Sequence, residues 1–435
     1  MWKPFTLLLV LYQSLVASPS LDVRDFGATG DGTTLDTKSI QAAINKARKN
    51  GGGTVFLGTG TYLSGTLELH SHITLVISPG ATLLGSKNLE DYQAAHPHLI
   101  YSNKASHVTL TGGGTINGQG DAFYDSNFKA LPRPKPWIQF TAGSHIRVRD
   151  LNLINSPAHV LVIKRVDRAW FQNLSIVNHK KSPNTDGIDI HDSKHVFVSD
   201  CYFSTGDDAI CLKSKRDFVE YVTVTNCIIE SDDAALKLGT GSKMGVRHCR
   251  FSNITITDTR YGVAMFMVDG GVYEHIDFSG ISISGRSRHT NDYPIYMDID
   301  MRDEAKPLGS IRNIRFRDIF AQTNGNILIS GQPTTPISGL SFDHVTIQLE
   351  EPADLKQVKR KPRGNKTFTD LGKTVDYSWV ESTFTLGHVR GVKMSNVTIN
   401  QPESSGRTEM YLIDVEDIEE VGNKLKKKKV GQIKP

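Results

Sequence analysis

A six-residue pattern recurs between residues 148 and 399 and limits the possible folds more than any other feature of the sequence. Its positions are usually a β-branched or aromatic residue, any residue, Asn or Asp, an aliphatic residue, any residue and a second aliphatic residue. The copies begin at Val148, Phe171, Val198, Val224, Phe251, Phe278, Phe316, Phe342 and Met394. Most successive copies are 23 to 27 residues apart, and two longer intervals of 38 and 52 residues indicate insertions.

This period favours a solenoid. Apolar and polar residues alternate, so one face of each strand is buried. One repeat cannot bury its apolar face alone, whereas stacked coils can. Asn and Asp tolerate the left-handed backbone that a bend requires. The predicted fold is therefore all-β, a right-handed parallel β-helix whose coils lie about 4.8 Å apart. A β-sandwich is the alternative, but Asn-Gly hairpin signals are scarce and the period is long for hairpins.

The repeat also predicts an inward-facing column. One aliphatic position of each copy should stack on the same position of the next coil, through Leu174, Cys201, Cys227, Ile254 and Ile281. Cys201 and Cys227 are then buried small hydrophobes or a disulfide pair, and the sequence leaves both open. The chain has four cysteines and no CxxC pair, which does not support a disulfide scaffold or a zinc site.

The two ends of the chain differ from the repeats. Residues 1–20 have one early Lys, an apolar run from Phe5 to about Leu11 and then small residues, as in a signal peptide. Polar residues interrupt this run too early for a membrane anchor. The mature protein is therefore expected to be secreted and extracellular, or periplasmic in a bacterium. Residues 421–435 form a basic tail with KLKKKK, read as a solvated terminus and not as a nucleic-acid-binding arm.

The β-helix domain is predicted to span residues 21–420. Asp36 precedes apolar positions at Ile40, Ala43, Ile44 and Ala47, a pattern typical of a short helix. That helix should plug the N-terminal end of the solenoid and shield its core. Residues 353–377 are polar and basic and are interpreted as a loop insertion.

Three acids mark a candidate site. Asp186 and Asp208 are 22 residues apart, about one coil, and Asp207 precedes Asp208. Carboxylates on neighbouring coils should be roughly 5–9 Å apart, a span that includes the spacing in inverting glycosidases. Crowding raises the pKa of at least one carboxyl, so such a cluster supplies a proton donor and a base together. A solvated turn and a Ca²⁺ site are the alternatives.

The segments around these acids resemble a known family. NTDGIDI and GDDAICLKS are similar to the catalytic signatures of glycoside hydrolase family 28, the polygalacturonase and rhamnogalacturonase family. The resemblance covers nearly the whole mature chain, in FGATGDGTTLDTKSIQAAI, GGGTVFLGTGTYLSGTLEL, GATLLGS, GTINGQG, RPKPWIQF, NSPAHVLV and GNILISGQPTTPISGL. It implies a right-handed parallel β-helix and single-displacement hydrolysis with inversion. It also implies that Asp207 is the general acid and that Asp186 and Asp208 hold and activate water.

The chain departs from this family in its substrate motifs. Polygalacturonases usually have GHG on the next coil and RIK on the one after, whereas this chain has SDDAALKLGTGS and TRYGVAMFMVDGG. Pairing Leu236 with Ile210 places Ala234 at the position of the family His, and a literal match of the two DDA strings places Asp233 beneath Asp208. Ala264 and Phe266 stand where Arg and Lys would pair with a galacturonate carboxylate. The candidate substrate-binding residues are Lys213, Lys237, Arg260, His159 and Tyr261.

Three functions are compatible with these features. The first is a secreted hydrolase of a pectin-like or other acidic polysaccharide. The second is a β-helix lyase, and the third is a catalytically inactive glycan-binding β-helix. We expect a monomer that uses no cofactor and no metal, with an acidic polysaccharide as its partner and no nucleic acid or membrane.

Overall fold

The computed structural model describes residues 20–285, 292–303, 306–350, 369–370, 373–374, 382–425 and 428–431. Over these residues the chain forms the predicted right-handed parallel β-helix, in which each strand pairs in parallel with the strand one coil later. The strands stack into three long parallel faces, here called sheets A, B and C. The predicted signal peptide lies outside the described residues, apart from Ser20.

Sheet A carries the candidate site. The strands of sheet A are Leu67–Glu68, Ile100–Asn103, Ile138–Thr141, Leu161–Lys164, Ile188–His191, Ile210–Ser214, Ala234–Ser242, Tyr261–Met267, Tyr293–Ile299, Ile327–Ser330 and Lys428–Gly431. The strands of sheet B are Ser20–Asp22, Gly53–Leu57, Ile73–Ile77, Ser106–Thr111 and Lys194–Ser199. The strands of sheet C are Asp31–Leu35, Gly60–Ser64, Ala81–Gly85, Thr115–Asn117, Tyr202–Thr205 and Thr398–Asn400.

Longer strands pass from one face to the next without interruption. Those shared by sheets B and C are Ser144–Ile154, Asp167–Val177, Val219–Ser231, Gly245–Thr257, Val272–Ser284, Ser310–Thr323 and Ile337–Leu349. Those shared by sheets A and B are Ser382–Ser395 and Thr408–Val421. Thr369–Asp370 and Lys373–Thr374 form a separate antiparallel pair. Short 3₁₀ helices occupy Val23–Phe26, Leu89–Asp91, Gly120–Phe123 and Glu403–Ser405.

The bend between sheets B and C lies at the third position of each repeat. All nine of these residues, from Asp150 to Asn396, have φ between 50° and 61°, as the recurrence of Asn and Asp predicts. Their side chains also bond from coil to coil. Asn173 Nδ2 donates to Asp150 Oδ1 at 2.9 Å, and Asn253 Nδ2 donates to the side-chain oxygen of Asn226 at 2.8 Å. The bend and its ladder of amides therefore fix the register of the coils together.

The predicted inward column is confirmed. Cys227 pairs with Ile254, and Ile254 pairs with Ile281. Leu174 and Cys201 continue the column on the preceding coils, and no member is more than 3% exposed. All four cysteines are free thiols, so Cys201 and Cys227 pack as small hydrophobes in this structure.

A helix closes the N-terminal end of the core, as predicted. Helix α1 spans Thr37–Lys49 and buries Ile40, Ala43, Ile44 and Ala47 against the first coil. Asp36 stands at its N-cap position but does not cap it, because the carboxylate instead accepts hydrogen bonds from the backbone N–H groups of Thr29 and Gly30. No helix in the described ranges is long and apolar enough to cross a membrane.

The C-terminal part of the chain differs from the expected boundary. Residue 420 falls inside the strand Thr408–Val421, and a further strand, Lys428–Gly431, pairs with it. The β-helix thus extends into the segment expected to be a solvated tail. Most of the expected loop at residues 353–377 lies outside the described residues, which include only its antiparallel strand pair.

Candidate active site

The three acids lie in the turns that lead from sheet C into sheet A. Asp186 precedes the strand Ile188–His191, and Asp207 and Asp208 precede Ile210–Ser214. Backbone hydrogen bonds continue the parallel ladder through both turns, since the N–H of Gly187 donates to Asp208 O at 2.9 Å. A Cβ atom at position 187 would lie 2.5 Å from a carbonyl oxygen of the next coil. Glycine is therefore required for the two acidic turns to stack this closely.

The carboxylates of Asp186, Asp207 and Asp208 form one cluster. Each offers an oxygen that lies within 4.8 Å of the oxygens of the other two. These oxygens are closer than the expected separation of roughly 5–9 Å. Asp186 lies beside Asp208 on the neighbouring coil, and Asp207 directly precedes Asp208 in the chain. Asp186 and Asp208 are buried, while Asp207 is partly exposed. Asp207 and Asp208 both lie in a turn between strands, so strand alternation does not place them on opposite faces.

Asp208 is held by a lysine from the next coil. Lys237 Nζ donates to Asp208 Oδ2 at 2.6 Å and lies 3.7 Å from Asp233 Oδ2. Burial alone would raise the pKa of the Asp208 carboxyl, but Lys237, Lys213 and a hydrogen bond with Asp233 together lower it below its usual value. These contacts thus favour the ionised form of Asp208.

Asp186 has the opposite tendency. Burial raises the pKa of its carboxyl well above the usual value, and the charges of Asp189, Asp207 and Asp208 raise it further. Lys213 Nζ lies 3.1 Å from Asp186 Oδ2 and opposes this shift only in part. The same cluster therefore contains one carboxyl that favours the protonated form and one that favours the ionised form.

A fourth acid, Asp189, belongs to the site and was not among the predicted site residues. It is fully buried, and its carboxylate accepts hydrogen bonds from Lys213 Nζ at 2.8 and 3.0 Å. Although burial opposes ionisation, Lys213, His191 and His159 keep the pKa of Asp189 below its usual value. The available signal was strand alternation, which places Asp189 outward because Ile188 and Ile190 face the core.

His159, on the preceding coil, lies against the carboxylates of Asp186 and Asp189. Its Nε2 lies 3.6 Å from Asp186 Oδ1, and its Nδ1 lies 3.6 Å from Asp189 Oδ2. Burial lowers the pKa of His159 to about 4, so the ring is neutral near pH 7. Its side chain is 34% exposed, which leaves part of the imidazole facing the groove.

Arg260 and Tyr261 lie two coils beyond Asp208. Arg260 Nη1 is 3.9 Å from Asp233 Oδ1, and its guanidinium lies 5.0 Å from the centre of the Tyr261 ring. Tyr261 is 1% exposed and stacks on Tyr293 at 5.2 Å between ring centres. In this conformation the structure places the Tyr261 ring in an aromatic cluster and not in the open groove, and its role in substrate binding stays a prediction.

The register settles which residue replaces the family His. Ile210 pairs with Leu236 and Leu212 pairs with Leu238, so Ala234 lies beside Asp208 and Asp233 lies beside Asp207. Ala264 pairs with Lys237 one coil further on. Phe266 is 3% exposed and contacts Tyr261 edge-on, so it packs within the protein instead of offering a free face to a sugar.

The positions of the lysines bear on metal binding. His159, Asp186 and Asp189, and likewise the three clustered acids, have spacings that could hold a cation. However, the ammonium groups of Lys213 and Lys237 already lie against these carboxylates. The arrangement fits buried ion pairs better than a metal centre.

Comparison with known proteins identifies the family. The family model for glycosyl hydrolases family 28 matches residues 53–366, well over half of the chain. The chain belongs to glycosyl hydrolases family 28. A probable polygalacturonase of Vitis vinifera is 27% identical over 370 residues, covering 76% of this chain and 74% of the relative. An endo-polygalacturonase of Pectobacterium carotovorum subsp. carotovorum is 25% identical over 388 residues, covering 80% and 94%.

A solved structure gives the same fold. The hyperthermoactive exopolygalacturonase of Thermotoga maritima superposes with a TM-score of 0.70, covering 88% of this chain and 92% of that one at 20% identity. This family 28 chain thus shares the polygalacturonase-type scaffold. Within that scaffold it places three acids in one cluster and two lysines directly against them.

Proposed function

We propose that this protein hydrolyses glycosidic bonds of a pectin-like or other acidic polysaccharide by inverting single displacement. The observation that carries the proposal is the cluster of Asp186, Asp207 and Asp208, whose oxygens lie within 4.8 Å of one another at the edge of sheet A. Hydrolysis by single displacement needs a proton donor for the leaving oxygen and a base for the attacking water. Within the cluster, the lowered pKa of Asp208 suits the base, and the partly exposed Asp207 beside it is open to the leaving oxygen.

Asp207 is the proposed proton donor. It is the only partly exposed member of the three, so it is the one that a glycosidic oxygen in the groove reaches most directly. Its backbone is fixed, because Thr205 Oγ1 and Ser231 Oγ both donate to Asp207 O, at 2.6 and 2.8 Å. The resemblance to family 28 assigns the same role to this position.

Asp208 is the proposed base. Lys237 engages its Oδ2 and lowers the pKa of the carboxyl, so the group is ionised and able to accept a proton from water. Asp186 lies on the coil above and is the proposed second ligand of that water. Its raised pKa means that it carries a proton over a wider pH range than Asp208, so it helps position the water while Asp208 accepts the proton.

Stereochemistry tests this mechanism separately from activity. The close spacing of the acids does not by itself favour inversion, since retaining enzymes have carboxyl groups only about 5–5.5 Å apart. NMR during early turnover should detect the inverted anomer of the product. A retained anomer would require a covalent intermediate and would remove the water-activating role of Asp186 and Asp208.

Lys213 and Lys237, the two lysines that contact the clustered acids, do not favour lyase chemistry at the cluster. A β-helix lyase would use a basic side chain to abstract a proton, which is easiest for a lysine with a lowered pKa. Lys213 and Lys237 instead have raised pKa values, because each is ion-paired with buried aspartates. A hydrolase forms no new double bond, so products should show no increase in ultraviolet absorbance. An absorbance increase that parallels bond cleavage would replace hydrolysis with elimination.

The substrate is proposed to be a rhamnose-containing pectin or another acidic glycan. Ala264 and Phe266 cannot form the carboxylate clamp of polygalacturonases, and the ammonium groups of Lys213 and Lys237 are engaged with Asp186, Asp189 and Asp208. Unbranched polygalacturonan should therefore be a poor substrate. Reducing-end release across a panel of acidic polysaccharides tests this, and equal or faster cleavage of pure polygalacturonan would contradict it. The N-terminal segment supports action outside the cytoplasm, which fractionation of the expressing cells would test.

A further inference from the structure

One outward column of sheet A, the one that contains Lys213, changes character beyond the acids. On the N-terminal side, Thr141, Lys164, His191 and Lys213 form one outward column whose side chains are partly exposed. On the C-terminal side, the outward side chains of Ala264, Phe266, Tyr296, Leu328, Asp298 and Ser330 are buried, and each of these six is at most 3% exposed. These residues alternate with core residues, so their burial comes from contacts on the outer side of the sheet.

Aromatic rings fill this outer side beyond the acids. We call Tyr261, Phe266, Tyr293 and Tyr296 the aromatic cluster. Tyr296 meets Tyr261 and Tyr293 edge-on, at 5.4 and 5.2 Å between ring centres, and it contacts Phe266 at 5.1 Å. Leu328 and Ile413 from later coils pack against the same rings. Along this half, packed side chains therefore cover the outer side of the sheet.

The open side carries positive charge. Burial lowers the pKa of Lys164, the carboxylate of Asp189 raises it, and the nearby cations Lys215, Arg165 and Lys213 lower it further. Arg133 marks the rim of the groove, where its guanidinium donates to Pro183 O and Asn184 Oδ1, each at 2.9 Å. A basic groove with one open end favours an extended polyanion that lies along that end.

We propose that the enzyme acts at a chain end, with the acidic polymer lying along the open, basic N-terminal coils and its terminal sugars against the aromatic cluster. The cluster begins two coils beyond Asp208, which leaves roughly 10 Å for the released unit, at about 4.8 Å per coil. This inference rests on the proposed hydrolysis and adds its mode of action. Tyr261, Phe266, Tyr293 and Tyr296 become the residues that set the length of the product.

Product analysis on the full-length protein tests the mode of action. With a polysaccharide that the enzyme cleaves, short products of one size should accumulate from the earliest time point while the viscosity of the solution hardly changes. A ladder of intermediate lengths with a steep early loss of viscosity would overturn the chain-end inference and leave hydrolysis standing. Absence of cleavage of every acidic polysaccharide in the panel would overturn the proposed function, and the inference with it.

Two pairs of variants test the roles proposed for the closed and the open half of the groove. Tyr296→Ala should open the closed half, so products become longer and viscosity falls more per bond cleaved. Phe278→Ala removes a core ring of similar size and should leave product length unchanged.

Lys164→Gln should raise KM for the acidic polymer several-fold, whereas Lys393→Gln, on the exposed surface of sheet B, should not. Unchanged KM in Lys164→Gln, or unchanged products from a folded Tyr296→Ala enzyme, would contradict the inference.

Discussion

The string DDA occurs twice, at residues 207–209 and 232–234, and the two copies occupy different positions in the fold. The copies are 25 residues apart, but the coils pair at an interval of 26, because Ile210 pairs with Leu236. The second copy is therefore displaced by one residue, which puts Ala234 and not Asp233 beside Asp208. The apolar residues that follow each string fix the register, since a slip of one residue would turn them out of the core.

The displacement gives the two pairs of acids different partners. Asp207 lies partly exposed at the groove and Asp208 contacts Lys237, next to Asp186. Asp233 is buried beside Lys237 and Arg260, with no place in the cluster of three oxygens. Identical sequence thus yields a candidate catalytic pair on one coil and a supporting charge on the next. The following predictions test that difference.

Substitutions in the first copy should have the largest effect. Asp207→Asn keeps the size of the side chain but removes the proton donor, so kcat should fall by about 10²–10⁴-fold. Asp208→Asn and Asp186→Asn should lower kcat by a comparable factor through loss of water activation. Because the three groups act together, the double variants should lose far less than the product of the single losses. Steady-state kinetics on the preferred polysaccharide would measure this, and multiplicative losses would contradict a single cluster.

A core substitution separates loss of folding from loss of chemistry. Ile254→Ala shortens a buried side chain of the inward column and should cost about 2–5 kcal/mol of unfolding free energy through lost burial and a cavity. Its kcat and pH profile should stay close to those of the parent protein below the unfolding transition. Chemical denaturation measures the first effect. A changed pH profile would mean that the column and the acids are coupled.

Lys237 connects the two copies, so its removal should act through pH. In Lys237→Met, Asp208 loses the cation that lowers its pKa, and the pKa should rise. The carboxylate is then ionised only at higher pH, so the acidic limb of the kcat/KM profile should move upward. If the acidic limb moves upward by one pH unit, activity at pH values below the limbs of both the variant and the parent protein should be about tenfold lower. An acidic limb that stays in place would show that Asp208 is not the ionised base.

Asp233→Asn should have the smallest effect. The second copy lies outside the cluster of three oxygens, so most of the activity should remain. A modest change in the acidic limb is expected, because a hydrogen bond with Asp233 contributes to the lowered pKa of Asp208. If Asp233→Asn reduces kcat as much as Asp207→Asn, the working site reaches one coil further than proposed.

The sequence predicted the features that depend on local pattern. The period of the repeat predicted the β-helix, and the alternation of apolar and polar residues predicted the inward column. The recurrence of Asn and Asp predicted the left-handed residues at Asp150 and its equivalents. These follow from backbone preference and burial within a few residues. The position of Asp207 and Asp208 one coil from Asp186 followed from the same period.

Contacts between side chains on different coils could not be predicted in the same way. Asp189 was not included, and its ion pair with Lys213 was not predicted. The contact of Lys213 with substrate stays a prediction. The choice between Asp233 and Ala234 beside Asp208 also stayed open, because it depended on a register difference of one residue. Such pairings depend on the exact offset of neighbouring coils, and side-chain burial beyond the acids depends on what covers the sheet.

Because the strands pair in parallel from coil to coil, the position of a residue in the sequence determines its position along the groove. Each advance of 22 to 27 residues moves a side chain about 4.8 Å along the axis, so the proposed site, from His159 to Arg260, occupies five neighbouring coils. Duplicating one coil between Asp186 and Asp207 would separate the acids by that one step, although every local contact could be rebuilt. Duplicating a coil elsewhere would lengthen the rod and leave the chemistry intact. Such a scaffold can therefore change in length by whole units while its site tolerates no insertion between two particular turns.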